Sequence, residues 1–145
     1  MVSHSLSRWV IFFALIFAFV LRLGVWWVNP PNNSFDDHLE PIAYYATNLS
    51  SPPLDKCWQC YQPPLYYVAS SGVLHASYLF FENYWYSWRS VQIISTISSA
   101  CALLVIVALL LIWMKNATYS IAISILLLAI LPRDLYVSSM VGNDA

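Results

Sequence analysis

Residues 9–28 read WVIFFALIFAFVLRLGVWWV, twenty positions that carry one charge, Arg22. A bilayer's hydrocarbon core is about 30 Å thick and takes about 20 apolar residues of helix to cross. This run therefore reads as a transmembrane span. No small-x-small cleavage pattern follows it, so it reads as an uncleaved signal-anchor rather than a signal peptide. Arg22 lies near the far end, where it snorkels to the interface or meets an anion. Arg8 on the near flank favours a cytoplasmic N-terminus.

The rest of the chain fits that start. Of its 145 residues 60% are hydrophobic and only 9% charged, whereas soluble domains carry about a quarter charged residues. A net charge of −1 leaves no basic surface, so nucleic acid is not an expected partner. Aromatic residues make up 17% of the chain, with seven Trp and ten Tyr, as expected where rings gather at a membrane interface. The expected class is all-α integral membrane.

Outward from the first run, residues 29–63 are the polar segment. Pro30-Pro31, Pro52-Pro53 and Pro63-Pro64 cut it into short pieces. Between the first two breaks, residues 35–49 put Ile42, Tyr45, Ala46 and Leu49 on one helical face, which suits a helix lying along a membrane. Residues 65–81 are ambiguous, because Ser70, Ser71, Gly72, His75 and Ser77 dilute the apolar ones. They are marginal for a span and reasonable for a second interfacial or re-entrant helix. The aromatic stretch ENYWYSWRS follows, and 91–114 is then uncharged for twenty-four residues. After a turn at KNAT the apolar run resumes at 118, with Pro132 interrupting it before Arg133-Asp134.

The expected organisation is one membrane module: a first span at 9–28, a loop at 29–88, a second span at 89–114 and a third at 118–141. If 65–81 cross as well there are four spans; hydropathy favours three. In the three-span arrangement Asp36, Asp37, Arg89 and Asp144 reach one membrane face. Carboxylates there suit a general base or a divalent cation, and an arginine suits a phosphate. Each residue also has a plainer reading. Paired aspartates in a Pro/Asn-rich loop cap helices and turns, Arg89 beside Trp88 is an interfacial anchor, and Asp144 after Gly142-Asn143 is a turn residue. His38 and His75 suit structural roles. Cys101 is a small buried hydrophobe, while Cys57 and Cys60 form a lone C-x-x-C that is either a local disulfide or a pair of thiols.

An apolar helix ending in LRL, then FDDHLEPIAYYATNL, then YQPPLYYV, resembles the start of the polytopic membrane glycosyltransferases of the GT-C fold. The branches it is most similar to contain protein O-mannosyltransferases and the bacterial aminoarabinose transferases of lipid A. The matched positions are Asp36 and Asp37, Pro63 to Tyr67, Arg89, and Asp144 in VGNDA. The resemblance implies about three transmembrane helices, two interfacial helices in the first extracytoplasmic loop, and transfer of a sugar from a polyprenyl- or dolichyl-phosphate donor to an acceptor hydroxyl. By position, Asp36 and Asp37 are the expected catalytic pair and Arg89 the expected ligand of the lipid phosphate. Asp144, Gln62 and Tyr66 are expected to shape the site. A divalent metal ion is the one cofactor this allows, with Asp36 and His38 as candidate ligands. The second acid is Asp where the family more often has Glu, and Cys57 and Cys60 have no counterpart in the pattern.

The expected partners are the bilayer, a lipid-linked sugar and an acceptor protein, lipid or glycan. A bacterial or archaeal cell membrane is favoured over the endoplasmic reticulum, with the active site extracytoplasmic. Family members have more spans, so the chain reads as an N-terminal fragment, inactive alone. Two other classes compete: a non-catalytic small membrane protein (an assembly subunit or part of a transporter), and a thiol-redox protein built on Cys57 and Cys60.

Overall fold

A computed structural model describes residues 4–31, 38–114 and 117–142. Six helices account for most of them: α1 His4–Val28, α2 Leu39–Asn48, α3 Pro64–Tyr78, α4 Tyr84–Trp113, α5 Thr118–Ile130 and α6 Pro132–Val137. The fold is all-helical, with no strand among the described residues.

Local chemistry sets most of the boundaries. Proline stands at the start of α3 and of α6, where its missing N–H costs nothing and its fixed φ suits a first turn. The Asn83 side chain accepts from the Trp85 N–H at 2.9 Å and caps α4, so this helix begins five residues before the expected second span. Leu49 ends α2 in the left-handed region, φ 51°, its N–H returning to Tyr45 O at 3.0 Å. The run expected as one span over 118–141 is divided. Helix α5 stops before Leu131-Pro132, α6 lasts six residues, and residues 138–142 are not helical.

Helices α1 and α4 have 25 and 30 residues, or about 38 and 45 Å of length. Both are long and apolar enough to cross a membrane. Most of their large apolar side chains stay exposed, among them Phe13, Val20, Leu23, Ile97, Val105 and Ile112.

Two clusters of buried side chains hold the helices together. In the first, Ala14 and Ala18 of α1 meet Ile121, Ala122, Ile125 and Ala129 of α5, with Leu103 and Val107 of α4 alongside. Alanine at four-residue steps lets helix backbones approach closely, so dispersion contacts do the work. The second joins Ile42 and Tyr45 of α2, Tyr67 and Leu74 of α3, Trp88 and Val91 of α4, and Val141. Helix α4 carries both, and between them its buried stripe turns polar, at Gln92, Ser95, Thr96 and Ser99.

Three of those side chains, Gln92, Ser95 and Thr96, serve the non-helical backbone after α6. Gln92 Nε2 donates to Asn29 O at 3.0 Å and also to Ser139 O. Thr96 Oγ1 donates to Ser138 O at 2.9 Å, and Ser95 Oγ to Gly142 O at 3.2 Å. Buried carbonyls outside a helix need such donors, most of all where water is scarce.

Candidate functional site

The second cluster brings together parts of the chain that are distant in sequence. His38, the residue before α2, is buried, and its Nδ1 lies 2.8 Å from the Tyr67 hydroxyl of α3. Gly142, beyond α6, lies against the same imidazole: a Cβ on Gly142 would stand 3.4 Å from His38 Cδ2. Tyr66 fastens Gly142 from the other side, its hydroxyl accepting from the Gly142 N–H at 3.0 Å and lying 3.3 Å from Ser95 Oγ. Burial pushes the Tyr66 phenol above its ordinary pKa, against hydrogen bonds to Ser95, Ser70 and Gly142 that lower it.

His38 directly follows Asp37, and Gly142 precedes Asp144 by two positions. Asp36, Asp37 and Asp144 themselves lie outside the described residues. Tyr66 sits at the junction of the two segments. Gln62 is one step removed, donating from Nε2 to Gln59 Oε1 at 2.5 Å.

Arg89 lies elsewhere, at the end of α1. Its Nη1 donates to Trp26 O at 3.0 Å and its Nη2 to Trp27 O at 2.8 Å, satisfying carbonyls that the last turn of a helix leaves unpaired. The guanidinium carbon is 5.6, 5.7 and 5.3 Å from the ring centres of Trp26, Trp27 and Trp85, within cation–π range. Each terminal nitrogen keeps a further N–H, so a phosphate contact remains chemically open alongside the cap.

Sequence reasoning left one charged pair unassigned. Arg22 is 2% exposed; its Nε donates to Ser99 Oγ at 3.0 Å, its Nη1 to Ala18 O at 3.3 Å and its Nη2 to the Asp134 carboxylate. A cavity of about 220 Å³ opens beside the pair, walled by Leu103, Ile106, Leu128 and Leu131. The signal was present in outline: an arginine inside an apolar run requires an anion, and Asp134 follows the break in the last apolar run.

Cys57 and Cys60 are joined as a disulfide. Among the described residues no three His, Cys, Asp or Glu side chains gather as a metal site. His38 is the one expected metal ligand that is described, and its Nδ1 is engaged by Tyr67. Comparisons with protein-family models, curated proteins and solved structures return no match for this chain.

Proposed function

We propose that the chain is a module of an integral-membrane glycosyltransferase, with α1, α4 and the broken α5–α6 helix as three spans. The observation that carries this reading is the contact of His38 with Gly142, which joins the segment after Asp36-Asp37 to the segment before Asp144. A site for sugar transfer needs a carboxylate beside the acceptor and further polar groups to hold the donor. One of Asp36 and Asp37 takes the proton of the acceptor hydroxyl. The acceptor oxygen then bonds to the anomeric carbon as that carbon's bond to the lipid phosphate breaks, with inversion.

Three further features support the reading. The exposed apolar surfaces of α1 and α4 suit hydrocarbon rather than water. A Cys57–Cys60 disulfide suits an extracytoplasmic loop. Arg89, ringed by Trp26, Trp27 and Trp85, sits in the kind of aromatic belt that marks headgroup level, and lipid phosphates lie at that level.

The test has two arms. With the three native cysteines replaced, single cysteines at Lys115 and Ala145 are treated from outside with a membrane-impermeant maleimide; labelling at 145 and not at 115 is expected. Membranes containing a longer protein that carries this module are then given a polyprenyl-phosphate hexose and an acceptor, and Asp36→Asn or Asp37→Asn in that protein is expected to abolish transfer at unchanged protein level. Labelling at 115 instead of 145 splits the acids between the two faces and ends the single-site reading. A second reading, a non-catalytic membrane subunit, is favoured by Arg89, whose guanidinium caps α1. It is selected if both Asn variants leave transfer intact and only lower the amount of protein.

A further inference from the structure

The Cys57–Cys60 pair has no part in the sugar-transfer reading, yet it begins a continuous path to the contact that carries that reading. Gln59 lies inside the four-residue loop that the disulfide closes, and both Gln59 and Cys60 are buried. The loop is tightened by Cys60 N–H to Cys57 O at 3.2 Å and by Gln62 N–H to Gln59 O, also 3.2 Å. The Gln59 carbonyl accepts from the Tyr67 hydroxyl at 3.4 Å. That hydroxyl is 2.8 Å from His38 Nδ1, and the His38 ring lies against Gly142.

A carbonyl can only accept, so the bond to Gln59 exists only while the Tyr67 proton points at it. In that arrangement the Tyr67 oxygen accepts, and the matching imidazole tautomer carries its proton on Nδ1. Tyr67 is 1% exposed and His38 likewise 1%, so water does not readily replace a lost partner, and a change in Gln59 is felt at the imidazole.

We propose that the Cys57–Cys60 disulfide is a redox-sensitive staple that sets the orientation and ring protonation of His38 through Gln59 and Tyr67, and so holds the His38–Gly142 contact. The reaction that opens it is reduction by a dithiol. The disulfide gains two electrons and two protons to become two thiols, and the dithiol loses the same and closes to its own disulfide. With the loop open, Gln59 moves off Tyr67 and water enters by the gap it leaves; the Tyr67 hydroxyl donates to His38 Nδ1, which gives its own proton to that water while Nε2 takes one from it. This rests on the contacts alone and holds whether or not the chain transfers sugar.

The test uses the full chain in detergent micelles with ¹⁵N-labelled histidine, read before and after dithiothreitol. The chain has three histidines, so His75→Gln and His4→Gln assign the His38 signals. Reduction is expected to shift the His38 Nδ1 signal from the protonated towards the unprotonated range. It is also expected to speed hydrogen exchange at the Gly142 amide while leaving the α1, α4 and α5 amides unchanged. In Tyr67→Phe the path is already cut, so reduction produces neither change; reoxidation of the wild type restores both signals. Three results overturn the inference: a His38 signal that ignores reduction, a response of equal size in Tyr67→Phe, and a general loosening of α1, α4 and α5. Because reduction is done on folded wild-type protein, a Cys57→Ser variant that fails to fold does not spoil the test.

Discussion

Arg22 and Asp134 are 112 positions apart in the sequence, and the guanidinium of the first donates to the carboxylate of the second. Their pairing ties the short helix α6 to α1 and delivers residues 138–142 to the polar stripe of α4. The arginine is buried and the aspartate side chain is 42% exposed, so the two partners are unequal. Loss of the aspartate strands a buried cation, whereas loss of both charges strands nothing.

Asp134→Ala is therefore expected to destabilise the fold by about 3 kcal/mol, the lower end for breaking a buried pair. Arg22→Met with Asp134→Leu should recover most of that loss, since an apolar pair fits a site walled by leucines. Denaturant unfolding followed by circular dichroism in micelles measures both. Equal loss in single and double variants would show that the pair adds nothing beyond its packing.

Arg89 is held by geometry that lysine cannot copy. A planar fork reaches two carbonyls at once and stacks over indole rings, and an ammonium does neither as well. Arg89→Lys is expected to cost about 1.5–3 kcal/mol, the range for hydrogen bonds to a charged group, and to alter the fluorescence of Trp26 and Trp27. If Arg89 also holds the donor phosphate, Arg89→Lys should raise the donor KM more than it changes the fold. A stability loss with unchanged KM would leave Arg89 as a cap alone.

Tyr66 gives the fold a pH dependence at the alkaline end. Its folded pKa is raised by burial above 10.0, so between that value and the folded one the unfolded chain ionises while the native chain does not. Stability from this group is complete below pH 10 and is lost as pH rises through the folded value. Tyr66→Phe should cost about 1 kcal/mol at pH 8, through the lost bonds to Gly142 and Ser95. The gap between wild type and variant should narrow above pH 10. Unfolding series at pH 8, 10 and 11 would show it, and a gap constant across them would mean that Tyr66 ionises as freely folded as unfolded.

Parts of this architecture were legible in the sequence, and the reasons are physical. The runs that became α1 and α4 announce themselves because an apolar stretch of twenty residues with at most one charge has few other uses. Pro132 marked the break before α6 in the same direct way. The job of Gln92, Ser95 and Thr96 was hidden, since their partners are backbone carbonyls of residues 138–142, and a carbonyl looks the same in every residue. Arg89 was hard to read for the same reason: its acceptors are the main chain of Trp26 and Trp27. Residues 65–81 looked ambiguous because α3 turns its hydroxyls inward, which weakens any amphipathic signal judged against water.

That inversion leads to the last prediction. Helix α3 buries Tyr67, Ser70, Leu74 and Ser77, while Leu65, Val68, Gly72 and Ala76, with Leu79 just past its end, form an outward stripe in which His75 is the one ionisable side chain. Helix α2 is ordinary by comparison, burying Ile42 and Tyr45 and exposing Glu40, Thr47 and Asn48. Two neighbouring helices with opposite outward polarity belong at a boundary, with α2 towards water and α3 towards hydrocarbon. Gly72→Cys suits a probe because a Cβ there meets nothing within 4 Å. Nitroxide labels on Gly72→Cys, Thr47→Cys and Val105→Cys, each with Cys101→Ala, would be read in phosphatidylcholine vesicles against oxygen and a water-soluble nickel chelate. Oxygen should dominate at 72 and 105, and nickel at 47. Nickel access at 72 with oxygen dominance at 105 would put α3 in water while leaving α4 in the membrane. Shielding of 72 from both reagents would mean that protein, rather than lipid, covers that stripe.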